Sequence, residues 1–458
     1  MKKRILAGVL TLALLSCNFL NRMVTPATPT PLPTWTPTAS PTPTPVPLKP
    51  SFLPPECADV PLATAQPNPQ VETAPVTEPN PEISTQQQRE IFEQLTERVT
   101  GTYVYPDFNG KDWNEIQARY RAQVEAGMDT ESFYLAMREM IYELGDEHSF
   151  FLSPAEVLKS ENELEGNIEF VGVGIYGQTD LDRQRHVIIS VFPGSSADNS
   201  GIQSHDAILA VDGLPITEDS GYSLRGPKCS AVVLTVQSPG AAPREVMMVR
   251  QSIQGNREID ARLVATRDGS KIGYIFIPTF FDETIPGQVD DALMEFGALD
   301  GLILDLRLNG GGSSAVVEPI FARFVSGRLG QFVTRQESFP LRVEADAIAN
   351  SQSVPLVVIV SRDTASYGEI FAGVLKDQGR AQITGETSPG NVEVLYGASF
   401  DDGSQAWIAS ATFLPENSDD NWEQTGIVTD LPAYAPWDTF TFETDPSIAA
   451  ALKLLGYR

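Results

Sequence analysis

The chain has 458 residues, more than one hydrophobic core usually covers, so two or three folded units joined by linkers are expected. Its 32 Lys and Arg stand against 60 Asp and Glu, and a formal charge of −28 repels phosphate backbones and anionic lipid alike, which argues against nucleic acid as a partner. The chain carries only three His (His148, His186, His205), and nothing at metal-ligand spacing accompanies Cys57 or Cys229, so neither a metal site nor a cofactor is expected.

Lys2, Lys3 and Arg4 precede an apolar run from Ile5 to Leu15 that is too short to span a bilayer, the pattern of a signal peptide over residues 1–17. Its end, Leu14-Leu15-Ser16-Cys17, resembles the lipobox of bacterial lipoproteins. That resemblance implies lipidation at Cys17 and an exported protein anchored by lipid to the outer face of a bacterial membrane; the other reading is ordinary cleavage with an incidental Cys. Residues 18–86 are rich in Pro and Thr and predict an extended linker, because Pro removes amide donors and little apolar surface offsets the ordering entropy. Cys57 and Cys229 could pair in an exported protein or remain free.

Residues 87–165 predict a small helical domain, with apolar positions at Ile91, Leu95, Val99 and at Phe133, Met137, Ile141, and Gly145 as a stop. Residues 166–255 turn to short apolar strands with Gly-containing turns, among them Phe170–Ile175. Within them, 191-Val-Phe-Pro-Gly-Ser-Ser-Ala-197 followed by 207-Ala-Ile-Leu-Ala-Val-Asp-Gly-213 resembles the signature of a PDZ domain, with His205 where such modules usually have Gly. The resemblance implies capture of extended peptide ends at the loop Val171, Gly172, Val173, Gly174; the glycines could instead serve only a tight bend. Residues 256–458 alternate strands and helices and predict an α/β unit with a mixed sheet, closed by a helix after Asp445-Pro446.

Two segments of this last unit carry the chemistry. The apolar strand Pro355 to Val360 runs into Ser361-Arg362-Asp363-Thr364-Ala365-Ser366-Tyr367-Gly368-Glu369, a strand-to-helix turn that exposes a Ser beside unpaired helix amides. Read alone, Ser366 and Glu369 are also an ordinary capping box. The strand Gly301 to Leu306 runs into Arg307-Leu308-Asn309-Gly310-Gly311-Gly312, where three glycines can turn amides toward an anion or merely form a flexible turn.

Together with Gly145 to Ser149 (Gly-Asp-Glu-His-Ser), Asp305-Leu306-Arg307, Gly385-Glu386 and the Asp-Pro helix, these segments resemble the tail-specific, or carboxyl-terminal processing, serine peptidases over residues 87–455. The resemblance implies a multidomain α/β protein: an N-terminal helical domain, a PDZ-like β module and a peptidase core of ClpP/crotonase-like type. It implies an endopeptidase acting on proteins or peptides, with Ser366 as nucleophile, Gly311 (among 310–312) and Tyr367 as oxyanion donors, and Asp377 in a structural or orienting role. In the main branch a Lys takes the serine's proton, but Asn391 stands at that position here and an amide cannot do so. His148 is the candidate base, as in the tricorn-like branch, with Asp146, Glu147 or Ser149 to orient it. That branch's late Glu aligns with Val428, leaving Glu386 and Glu393 as substitutes. The competing reading is an inactive peptide-binding lipoprotein on a peptidase scaffold. Oligomeric state and natural substrate are not specified by the sequence.

Overall fold

Helices at Thr85–Thr102, Trp113–Ala126 and Thr130–Tyr142 each start on a side chain, Ser84, Asp112 or Asp129, that accepts a first-turn amide. The structure is a computed structural model that describes residues 49–60, 63–64, 80–146, 148–164, 168–220, 222–255 and 258–457; the signal segment, Cys17, Glu147 and most of the Pro/Thr-rich stretch lie outside them. The predicted apolar stripes are buried, Leu95, Val99, Met137 and Ile141 completely. Three short helices do not enclose that stripe by themselves. They share one core with Phe151, Phe400, Ala406 and Ile408, and strand Phe150–Leu152 pairs with Gln405–Pro415 far along the chain. The helical segment therefore shares its core with strands of the unit expected over 256–458, and not with the PDZ-like module, whose core is separate.

The PDZ-like module is an antiparallel sheet in the order Ser230–Gln237, Ala207–Val211, Arg185–Val191, Ile175–Asp180, the last lying at an edge. The single strand expected over Phe170–Ile175 is two. Ile168–Gly172 pairs with Gln251–Gly255, and Ile175–Asp180 pairs with Arg185–Val191. The chain turns between them at Gly174, whose φ is +86° and where a Cβ would stand 2.1 Å from the Ser195 Cβ, so only Gly fits. His205 takes the left-handed backbone of the Gly it replaces, at φ +74°. Its ring stacks on Trp437 at 4.4 Å and its Nδ1 lies 2.7 Å from the Trp437 carbonyl, contacts that offset the strain and tie the module to the C-terminal segment.

Part of the stretch expected to be linker belongs to this module. Cys57 and Cys229 form a disulfide buried beside Val249, and Ala63–Thr64 runs parallel to the start of Ser230–Gln237.

The core sheet runs in the spatial order Asp260–Val264, Ile272–Phe276, Gly301–Asp305, Leu356–Val360, Gln382–Gly385, Leu431–Pro432, parallel except for its first pair. A second, antiparallel sheet carries Gln405–Pro415 at its centre. Because Gly301–Asp305 and Leu356–Val360 are parallel neighbours, the loops leaving their C-terminal ends emerge side by side, and these are the glycine loop and the serine turn. Below them the Arg307 guanidinium is buried against Asp305 and Asp445, both at 2.6 Å, while Asp445 also caps helix Pro446–Leu454. The Asp-Leu-Arg and Asp-Pro motifs thus lock the sheet end to the terminal helix.

Candidate active site

Ser366 sits between strand Leu356–Val360 and helix Tyr367–Asp377 at φ 51° and ψ −126°, a conformation costly for any residue with a Cβ. Its side chain makes no capping bond, so the capping-box reading is not realised, and among the described residues the half-buried Ser366 has no side-chain hydrogen-bond partner. The turn is held by backbone: Ser366 N donates to the Asn391 carbonyl at 2.6 Å, and Ala365 N donates to the Asn309 carbonyl at 3.0 Å. The residue that fixes the Asn391 loop is Glu369, one helical turn on. Its buried carboxylate accepts from Ser388 Oγ at 2.5 Å, Gly390 N at 2.8 Å and Asn391 N at 2.6 Å. Burial pushes this carboxyl above its ordinary range, and the three donors pull against that rise.

The glycine loop meets the serine turn closely, but not as expected. A Cβ on Gly311, whose φ is +95°, would lie 2.6 Å from the Ser366 Cβ and 3.0 Å from Tyr367 N. Glycine is required there for approach. The Gly311 amide, expected as an oxyanion donor, instead donates to Asn309 Oδ1 at 2.9 Å, and Asn309 Nδ2 is held in turn by the Ile277 carbonyl. Tyr367 N, the first amide of the helix, is a donor without an acceptor among the described residues.

His148 arrives from the helical region. Asp146 Oδ1 accepts from His148 N at 3.0 Å and from Ser149 N at 2.8 Å, tying both residues back onto Asp146. Ser149 Oγ donates to Asp146 Oδ2 and accepts the Ala409 amide at 2.9 Å, so it pins this turn to the second sheet rather than touching the imidazole. The ring faces two carboxylates, with Nε2 3.2 Å from Glu393 Oε2 and 3.9 Å from Glu423 Oε1. Tyr105 donates its hydroxyl to Glu393 Oε1 at 2.5 Å, and Val392 N donates to Glu423 Oε2 at 2.8 Å. Burial first, and then the adjacent Glu393, drive the Glu423 carboxyl well above the usual carboxylate range.

One short loop therefore joins the two halves, because Asn391 binds the Ser366 turn and Glu393, two residues later, faces His148. No hydrogen bond links the His148 ring to the Ser366 hydroxyl. Of the expected supporting residues, Asp377 lies at the far end of the helix, half-buried and accepting from Asn417, and Glu386 pairs with Arg362 at 2.7 Å beside the PDZ-like module. Neither faces the imidazole. The carboxylates that face it are Glu393, which the sequence offered only as a substitute, and Glu423, which it did not suggest. Glu423 sits in the short helix Trp422–Thr425, and no spacing marks it. At the aligned position, Val428 is exposed.

In the PDZ-like module the Val173 and Gly174 carbonyls accept from Ala197 N and Phe192 N, which braces the loop from behind. Between the edge strand Ile175–Asp180 and the core lies a cavity of about 430 Å³, lined by residues that include Gln178, Asp182, Arg307, Glu386 and Trp437. Arg183 and Arg185 cross beside it to the buried Asp438, at 2.6 Å and 2.5 Å.

The comparisons agree with this architecture. Residues 271–433 match the model of peptidase family S41, residues 84–142 that of the tricorn protease C1 domain and residues 163–220 that of the PDZ domain. A carboxyl-terminal-processing protease of Synechocystis is 29% identical over 81% of this chain and 87% of its own length. The chloroplastic carboxyl-terminal-processing peptidase 2 of Arabidopsis thaliana is also 29% identical, over 79% of this chain and 73% of its own. The structure of a photosystem II D1 C-terminal processing protease superposes with a TM-score of 0.54 at 26% identity, covering 81% of this chain and 97% of that one. By these matches residues 271–433 form a peptidase family S41 domain, and the chain is a PDZ-containing serine peptidase similar over most of its length to the carboxyl-terminal-processing proteases.

Proposed function

We propose that this peptidase uses Ser366 as nucleophile and His148 as general base, with Glu393 and Glu423 in the place of the acid that orients the base. With Nε2–H turned toward the carboxylates, Nδ1 is the nitrogen left to accept the serine proton, and the carboxylates stabilise the imidazolium that forms. Attack on a peptide carbonyl gives a tetrahedral oxyanion, for which the Tyr367 amide is the donor ready at the helix start. The Gly311 amide can join it only when Asn309 Oδ1 releases that proton.

The observation that carries this reading is the loop 388–393, which binds the Ser366 turn at one end and presents an acid to His148 at the other. Asn391 in place of Lys then removes a base whose task a His–Glu pair takes over. The PDZ-like edge strand Ile175–Asp180, with the turn at Val171 to Gly174, supports capture of extended or C-terminal segments of protein substrates by strand addition. Export and lipid anchoring at Cys17 are proposed from the leader, and a disulfide suits an oxidising compartment.

The test is a fluorophosphonate probe together with turnover of an unfolded reporter protein. Labelling and turnover should vanish in Ser366→Ala, and His148→Ala should lower both by about a hundredfold or more. Full labelling of Ser366→Ala, or unchanged turnover in His148→Ala, would remove the assignment.

A further inference from the structure

The same three side chains that form the base and its acid partners have a second chemical competence. His148 Nε2 and one oxygen each from Glu393 and Glu423 lie within 4.8 Å of one another. In both carboxylates the other oxygen is anchored, by Tyr105 on Glu393 and by the Val392 amide on Glu423. Each residue is thus held with one atom toward a common point. Glu393 is 3% exposed, and among the described residues its Oε2 is buried without a hydrogen-bond partner, 3.2 Å from His148 Nε2. A buried carboxylate oxygen left unpaired is costly.

We infer that His148, Glu393 and Glu423 form a binding site for a borderline divalent cation of the Zn²⁺ type, one imidazole and two carboxylates leaving a fourth position open. Sequence spacing argued against a metal site, since the three ligands come from three distant segments that only the fold assembles. The consequence for catalysis rests on His148 being the base. A metal on Nε2 takes that nitrogen's lone pair, and the ring keeps its proton on Nδ1. In that tautomer Nδ1 has no lone pair for the serine proton. Base and metal ligand are mutually exclusive states of one ring, so the cation is a reversible inhibitor.

The experiment is calorimetric titration of the full chain with ZnCl₂ alone, on wild type, Ser366→Ala, His148→Ala and Glu423→Gln, with thermal unfolding of each protein measured with and without the metal. One equivalent should bind wild type and Ser366→Ala alike and raise their melting temperatures, while His148→Ala and Glu423→Gln bind about tenfold or more weakly. Saturating Zn²⁺ should abolish wild-type turnover, and EDTA should restore it. No stoichiometric binding to wild type, or binding of equal strength in His148→Ala and Glu423→Gln, overturns the site. Because Ser366→Ala does not turn over, its titration reads the site independently of whether His148 is the base.

Discussion

The Ser366 turn and the His148 corner are built in opposite ways. Around Ser366 nearly every contact is made by backbone: the strained turn, the Asn391 carbonyl, the glycine approach and the free Tyr367 amide all follow from two adjacent parallel strands. Around the His148 ring the facing groups are side chains drawn from separate parts of the chain, Glu393 and Glu423 beside the imidazole and Tyr105 behind Glu393. A nucleophile can be fixed by local chain geometry, whereas a base and its acid can be exchanged among segments provided the fold delivers them to one place. That difference explains how a chain can lose the usual Lys and still retain the constellation of a serine peptidase.

Glu369 links the two regions, and its removal should have the largest effect after loss of Ser366 itself. Glu369→Ala strips the acceptor from Ser388 Oγ and two amides inside a buried pocket, which should cost about 3–5 kcal/mol of stability and lower fluorophosphonate labelling by about a hundredfold. Urea unfolding and labelling rates measure the two effects. Labelling that stayed at the wild-type rate would show that the Asn391 loop does not set the serine turn. A smaller loss is expected on the side-chain half: Glu393→Gln should lower kcat by about ten- to a hundredfold with KM nearly unchanged, since the amide cannot stabilise the imidazolium. Asp377→Ala and Glu386→Ala, which touch neither half, should stay within about twofold of wild type. Were Glu386→Ala the more damaging of these, the acid partners would have been misassigned.

What could be read in the sequence follows the same division. Ser366, the glycine loop, the Asp305-Leu306-Arg307 motif and the parallel strands were legible because each is a local pattern with a local cause. His148 was legible only through a motif, and its acid partners were not. Glu393 had no spacing to distinguish it from Glu386, and Glu423 precedes the aligned Val428 by five positions, in a helix of four residues. The role expected of the Gly311 amide failed for a related reason: whether a loop amide points into a cleft or onto a neighbouring Asn side chain is decided by packing around Asn309. Likewise the linker boundary missed the attachment of Cys57 to Cys229, because Pro- and Thr-rich composition says nothing about a bond across 172 residues.

That disulfide gives a prediction about stability alone. Cys57→Ala with Cys229→Ala should lower the stability of the PDZ-like module by about 2–4 kcal/mol while leaving the Ser366 turn intact. Labelling by the fluorophosphonate should therefore be retained below the new melting temperature. Loss of labelling in the folded double variant would mean that the module and the serine turn are coupled more tightly than their separate cores imply.

The smallest effect sharpens the comparison by asking what a histidine does without carboxylates around it. His186 lies in the PDZ-like sheet, its Nδ1 3.0 Å from Thr179 Oγ1, and burial lowers its pKa to about 4 from 6.5. The unfolded chain takes up this proton near pH 6.5 and the folded chain only near pH 4, so the unfolded state binds more protons throughout that window. Stability from the neutral ring is therefore fully present above about pH 6.5, falls as the pH is lowered through the window, and is lost below about pH 4. Acidic residues elsewhere contribute their own slope, so the quantity to read is the difference between wild type and His186→Gln, which cannot titrate. Urea midpoints at several pH values between 7 and 4 should converge as the pH falls, because only wild type has this protonation to lose stability through. Parallel profiles would mean that the folded ring accepts its proton as readily as the unfolded one, and that burial in this sheet does not by itself hold a histidine neutral.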